Sequence, residues 1–331
     1  MFHFNEQEIL EEQKRGISIV PQVEAAVDEV CRKGYRNIFY IGIGGTLFYA
    51  GQMIHIAKQA GATLPIFLEN AADFCAVGNP NLGSDSIAVI ESVSGDTKEM
   101  VAAVEKVHQA GAKVIGYVEK QDSPLYRNAD YVVSTVGGGY YFWYTVTLRF
   151  MKNTGCFPQY DDFYRQLATM PEHVVEIYKA SDSKAESFAK KYCDSPLTYL
   201  IGSGNLEDWA MCYGTCIMEE MLWMRTRPIS ASNFFHGTLE VIDRDTNVIL
   251  IKGEDATRPL AERVEKFIST VCANVTVFDT KDFPLDGISG EYRWLLSPIV
   301  MRSAFQRVST HLEYYRRHPL AIRRYYRRLD Y

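Results

Sequence analysis

The chain has 331 residues, 47% of them hydrophobic and 23% charged, with a net charge of −6. That length buries one large core or two ordinary ones, and the acidic balance gives the whole molecule no electrostatic case for nucleic acid. No apolar run reaches the roughly 18–20 residues that span a bilayer. The stretch from Met1 to Arg15 is too polar and acidic for a signal or transit peptide, and the seven cysteines include no C-x-x-C pair. The expectation is a cytoplasmic protein with reduced thiols and no membrane partner.

In chain order, an N-terminal helix precedes a second, amphipathic one from Val23 to Arg32, closed by Gly34. Ile38 to Ile41 reads as a strand, Gly42-Ile43-Gly44-Gly45-Thr46 as a glycine-rich loop, and Leu47 to Ala60 as a helix. Pro65 to Leu68, Ile87 to Glu91, Lys113 to Tyr117 and Tyr131 to Ser134 supply further strands, with helical patterns between most of them. Helices fill Tyr140 to Lys191, punctuated at Gly155-Cys156-Phe157-Pro158 and at Pro171.

The pattern then restarts. Tyr199-Leu200-Ile201-Gly202-Ser203-Gly204 echoes Tyr40 to Gly45 about 160 residues later and leads into a helix, Glu207 to Met224. Val248 to Lys252, a helix from Arg258 to Val271, and Val275 to Phe278 follow. A last helix begins near Glu291, is interrupted by Pro298, and gives way to a tail after Pro319. Strands alternating with helices predict parallel sheets covered on both faces, in two α/β halves at 1–155 and 156–331.

Three phosphate chemistries compete at the loops. Gly42-x-Gly44 has Leu47 where a dinucleotide fingerprint has its third glycine, and no G-x-x-x-x-G-K-[ST] occurs. Ser92-Val93-Ser94-Gly95-Asp96-Thr97, between a buried strand and an amphipathic helix, offers hydroxyls, backbone N–H groups and the positive end of a helix dipole to one point. The plain alternative is an ordinary Ser/Thr helix cap. Cys212 and Cys216 share a helix face without further Cys or His nearby, which predicts no metal site. The tail from Arg316-Arg317-His318 to Arg327-Arg328, interleaved with tyrosines, suits an acidic partner surface or an anionic substrate, with RNA ranked last.

Ser92, Ser94, Gly95 and Thr97 match, position by position, the Ser-x-Ser-Gly-x-Thr loop of the SIS (sugar isomerase) proteins, and Gly42 to Thr46 resembles their first glycine-rich turn. The tail His318-Pro319-Leu320-Ala321-Ile322-Arg323-Arg324-Tyr325-Tyr326 is similar to the terminus of the fructoselysine 6-phosphate enzymes in that superfamily. The resemblance implies two tandem flavodoxin-like SIS halves, a C-terminal helix and tail, and a phosphosugar substrate. It implies phosphate contacts at Thr46, Ser92, Ser94, Gly95 and Thr97, and further substrate contacts at Gly44, Gly45 and Arg324. In these relatives a glutamate precedes the histidine of a His-Gly-Pro-Leu motif by sixteen residues, as Glu220 precedes His236 here. Neighbouring Glu219 competes for the role, but adjacent helical side chains point about 100° apart. The resemblance therefore implies Glu220 and His236 as catalytic groups of a fructosamine 6-phosphate deglycase. It implies no metal or other cofactor, and a homodimer or higher homo-oligomer with the site at the subunit interface. A phosphosugar aldose–ketose isomerase and a non-catalytic phosphosugar-binding protein are the alternatives. The chain departs from its relatives at Ile217, where the synthase has a lysine, at Ala231-Ser232-Asn233 and at Thr238, and these positions bear on substrate identity.

Overall fold

The computed structural model describes residues 1–330, which form two compact units. The unit spanning Gln7–Pro171 contains α1 (Glu6–Ile17, all but its first residue), α2 (Val20–Lys33), β1 (Asn37–Gly42), α3 (Gly45–Gln59), β2 (Ile66–Asn70), α4 (Ala71–Val77) and β3 (Ser86–Ser92). It continues through α5 (Lys98–Gln109), β4 (Lys113–Val118), α6 (Pro124–Asn128), β5 (Tyr131–Val133), α7 (Gly139–Asn153) and α8 (Tyr160–Leu167). All its strands are parallel, in the order β2-β1-β3-β4-β5. β1 and β3 are buried along their whole length, so they read as unbroken apolar runs rather than alternating ones. Aromatic α7, from Tyr140 to Phe150 almost wholly buried, packs on this sheet through pairs such as Tyr40–Trp143.

The order β2-β1-β3 places the site. The chain leaves β1 toward one edge of the sheet and leaves β3 toward the other. The two following loops therefore diverge and open a crevice at the carboxyl ends of neighbouring strands. That is the strand order of the flavodoxin-like architecture implied by the resemblance to the SIS proteins.

The second unit, Met1–Glu6 with residues 172–330, repeats the plan in shorter form. Its elements are α9 (Met170–Tyr192, most of which lies here), β6 (Thr198–Gly202), α10 (Glu207–Cys212), β7 (Thr226–Ser230), β8 (Asn247–Lys252), α11 (Arg258–Val271), β9 (Val275–Asp279) and α12 (Gly290–Arg316). The parallel order is β7-β6-β8-β9. Strand β7 escaped the hydrophobic pattern because Thr-Arg-Pro-Ile-Ser is neither apolar nor alternating. Pro228 is tolerated there because β7 is an edge strand paired only with β6.

Two helices differ from the sequence expectation. The one expected over Glu207–Met224 is α-helical only to Cys212, then widens into a π-helical turn over Tyr213–Glu219. The Glu220 and Leu222 amides bond five residues back, to the Thr215 and Ile217 carbonyls, each at 3.1 Å. Pro298, expected to interrupt the last helix, lies inside a continuous α12. A helical proline orphans the carbonyl four residues earlier. Here that carbonyl, Trp294, accepts a hydrogen bond from Asn205 Nδ2 at 2.8 Å.

One ion-pair cluster ties α11 to β9. Arg258 donates to both oxygens of Asp279, at 2.9 and 2.6 Å, and Lys252 Nζ lies 3.1 Å from the same carboxylate. Burial pushes the Asp279 carboxyl up, but Arg258, the Lys281 amide and Lys252 outweigh it and hold it down to about 2. A carboxyl lower in the folded chain than in the unfolded one stabilises the fold above the unfolded value, and the benefit disappears as pH falls. Asp279→Asn is expected to cost about 2 kcal/mol of unfolding free energy near neutral pH. Urea midpoints of variant and wild type should converge between about pH 4 and pH 2.

Candidate functional site

In the first unit, Gly44, Gly45 and Thr46 follow β1, and Ser92 to Thr97 follow β3, so the two loops flank the crevice. The Thr46 hydroxyl accepts from the Ile43 amide at 3.2 Å and donates to the Ile43 carbonyl at 3.1 Å, which closes the glycine turn. Ser92 is buried, and its hydroxyl accepts the Gly95 amide at 3.0 Å, fixing the second loop. Ser94 and Thr97 are half-buried on that loop. Thr97 is the N-cap residue of α5, yet its side chain makes no capping bond. Its hydroxyl has no hydrogen-bond partner among the described residues. The Thr97 side chain thus does not cover the positive end of α5, and exposed Lys98 has no ion pair among the described residues.

The equivalent loop of the second unit is closed by its own anion. Asp255 stands 160 residues after Gly95, and Thr257 caps α11 as Thr97 caps α5. The buried Asp255 carboxylate accepts the Asn205 amide at 2.9 Å, the Thr257 amide at 2.8 Å and the Thr257 hydroxyl at 2.5 Å. It sits so close to the second glycine-rich turn that a Cβ on Gly204 would lie 2.1 Å from Asp255 Oδ2. The donors an external phosphate would need are already satisfied there, whereas in the first unit the Thr97 hydroxyl has no hydrogen-bond partner among the described residues.

Glu220 lies just past the π-helical turn, on the wall of a cavity of about 820 Å³ in the second unit. The C-terminal tail supplies much of the opposite wall, through Arg323, Arg324, Tyr325 and Tyr326. Arg323 Nε donates to Glu220 Oε1 at 2.9 Å, and Oε2 has no hydrogen-bond partner among the described residues. Glu219 points to a different task. Its Oε1 accepts the Thr226 amide at 3.1 Å and the Thr226 hydroxyl at 2.7 Å, pinning the start of β7. Both glutamates line the cavity, Glu219 exposed and Glu220 half-buried, and they differ in what holds them, Thr226 for Glu219 and Arg323 for Glu220.

His236 is exposed on the loop after β7, in a turn where Asn233 N bonds Ser230 O and His236 N bonds Asn233 O. Glu220 and His236 therefore lie beyond opposite ends of β7, a strand spanning roughly 15 Å. One chain does not bring them together.

Arg324 lines the Glu220 cavity with its guanidinium 4.3 Å from the Trp223 ring centroid, while Arg323 makes the contact to Glu220. The tail motif points to Arg324 as the substrate contact and gives Arg323 no role of its own. Trp223 carries φ +54°, a left-handed conformation seldom taken by bulky residues, and its ring packs on His318 at 4.3 Å. No periodicity signals such a residue.

Residues 34–152 match the SIS domain family profile. The chain is 27% identical over 321 residues to the fructosamine deglycase FrlB of Bacillus subtilis (strain 168), covering 94% of this chain and 97% of that one. It is 23% identical to the fructoselysine 6-phosphate deglycase of Escherichia coli (strain K12), covering 93% and 90%. Among solved structures, the C-terminal domain of glucosamine-fructose-6-phosphate aminotransferase from Francisella tularensis superposes with a TM-score of 0.76 at 15% identity, over 96% of this chain and 97% of that one.

Proposed function

With a SIS domain at residues 34–152, we propose that this chain is a fructosamine 6-phosphate deglycase, cleaving a phosphorylated Amadori compound to glucose 6-phosphate and a free amine. The observation that carries this reading is Glu220, an accessible carboxylate with one oxygen held and the other open, at the sixteen-residue spacing from His236. Likeness along nearly the full length to deglycases of two bacteria supports it.

The reaction asks little of the protein beyond placed acids and bases. The substrate joins an amine nitrogen to C1 of fructose 6-phosphate. After ring opening, Glu220 takes a proton from C1, and the electron pair forms the C1–C2 double bond of an enaminol. Returning the proton to C2 yields an imine at C1, and water then releases the amine and leaves the C1 aldehyde of glucose 6-phosphate. One carboxylate can both accept and return that proton. His236 exchanges a proton with the ring oxygen or O2. Neither step draws on a metal or redox cofactor. Ser94, Thr97 and the first-turn amides of α5 hold the phosphate, on a loop shaped by Ser92 and Gly95. Their binding energy positions the reacting carbons.

Because Glu220 and His236 lie off opposite ends of one strand, the working unit in this reading is a homodimer, with His236 of one subunit serving Glu220 of the other. Mixing inactive Glu220→Gln and His236→Ala proteins under subunit exchange should restore about a quarter of wild-type activity by random re-pairing. No restoration means that His236 does not act across subunits.

The chemistry itself is tested by incubating the protein with a panel of 6-phosphorylated Amadori compounds and assaying free amine and glucose 6-phosphate together. Equimolar appearance of both is expected for at least one compound. Hexose phosphate interconversion without amine release identifies an isomerase instead.

A further inference from the structure

We propose that Arg323, in the C-terminal tail, is the positioning residue of the Glu220 carboxylate, so that the tail completes the proton-transfer group. This rests on the reading of Glu220 as the group that moves the substrate proton.

The guanidinium is anchored on two sides. Its Nε donates to Glu220 Oε1 at 2.9 Å, and its Nη1 donates to the Leu320 carbonyl at 2.6 Å and the Ile322 carbonyl at 3.1 Å. A surface ion pair between two long, loose side chains contributes little and fixes nothing. Here the backbone carbonyls hold the guanidinium, and the guanidinium in turn fixes the plane of the carboxylate. The contact occupies Oε1 alone and leaves Oε2 open to the cavity. The Glu220 and Arg323 side chains keep 32% and 21% of their surface, enough for a ligand to reach the pair.

The rest of the tail is built to hold this contact. Arg316, at the end of α12, donates to the carbonyls of Leu222 and Cys193. The Leu320 amide bonds Glu313 Oε1 at 2.9 Å. Trp223 takes the strained left-handed conformation noted above, and from it receives His318 on one contact and Arg324 on another. Strain retained beside an accessible carboxylate is what a site that must place a side chain would keep. Shuttling a proton between adjacent carbons requires one carboxylate oxygen to address both C1 and C2 without rotating away. A fixed cation on the other oxygen supplies that orientation.

The test measures kcat and KM for wild type, Arg323→Gln, Arg323→Lys, Glu220→Gln and the Arg323→Gln/Glu220→Gln double variant on an Amadori compound that the wild type cleaves. Arg323→Gln should lower kcat by about 10²-fold and change KM by less than about threefold. Arg323→Lys, which restores the charge but not the fork, should recover about tenfold of that loss. In the Glu220→Gln background, Arg323→Gln should have no further effect, because the group it orients is gone. Equal losses in both backgrounds, a rise in KM at unchanged kcat, or wild-type rates for Arg323→Gln would each overturn the proposal while leaving the deglycase reading intact. Wild-type turnover by Glu220→Gln would instead overturn the assignment of Glu220, and this proposal with it.

Discussion

Replacing Glu220 by glutamine is expected to lower turnover by roughly 10³-fold, with the affinity for glucose 6-phosphate held within about threefold of wild type. Glutamine keeps the shape of the side chain and can still face Arg323, but it cannot accept a proton from C1. A group used only as the reaction proceeds changes kcat, whereas the phosphate loop that supplies ground-state binding is untouched. Stopped assays give kcat, and isothermal titration gives the product affinity. Glu219→Gln is the informative neighbour. Its carboxylate is engaged by Thr226, so the expected effect is a loss of about 1 kcal/mol in stability with turnover retained. If Glu220→Gln keeps its rate and Glu219→Gln loses it, the two roles are reversed. If neither changes, the proton-transfer group lies elsewhere, and if the wild type itself shows no turnover while phosphosugar binds, the chain is a binding protein and not an enzyme.

The second large effect is expected at Gly95. Its φ of +66° suits glycine, and a Cβ there would lie 1.9 Å from Ser123 Oγ and 2.8 Å from Val118 Cγ1. The residue also accepts the Leu125 amide at 3.0 Å and donates to Ser92 Oγ at 3.0 Å, so it ties the loop to the start of α6 and to β3. Gly95→Ala must move this loop away from Ser123 and with it the hydroxyls proposed to hold phosphate. The expected result is a loss of glucose 6-phosphate affinity of about 100-fold, as several charge-assisted bonds weaken together. A stability loss of about 2–3 kcal/mol should accompany it. Gly34→Ala separates backbone strain from loop displacement. Gly34 has φ +86° with nothing within 4 Å of a Cβ. That variant should lose about 1 kcal/mol and bind phosphosugar as wild type does. Equal affinity losses in both variants would detach the Ser92–Thr97 loop from phosphate binding.

The asymmetry between the two units explains why one duplicated plan need not give two equivalent sites. The first-unit loop has glycine at position 95, and the second has Asp255, whose carboxylate already engages the donors of its own turn. The difference is visible in the aligned repeat, but its meaning is not. Only the folded geometry shows that the aspartate turns inward onto Asn205 and Thr257 instead of outward to solvent.

What the linear chain determined was everything set by local periodicity and short-range chemistry. Buried parallel strands must be continuous apolar runs, amphipathic helices must repeat at helical spacing, and hydroxyl- and glycine-rich loops mark the junctions between them. Hence β1, β3, β8, α11 and the Ser92–Thr97 loop were legible, whereas the pairing of Glu220 with His236 came from the resemblance to the SIS proteins. Tertiary structure decided what depends on partners distant in sequence. β7 is a strand because β6 offers it an edge, and α12 runs through Pro298 because Asn205, far back along the chain, caps the exposed Trp294 carbonyl. Glu219 and Glu220 are told apart by their partners, Thr226 for the first and Arg323 for the second. Those outcomes rest on hydrogen bonds between residues tens of positions apart, whose geometry exists only once the sheets and helices have packed.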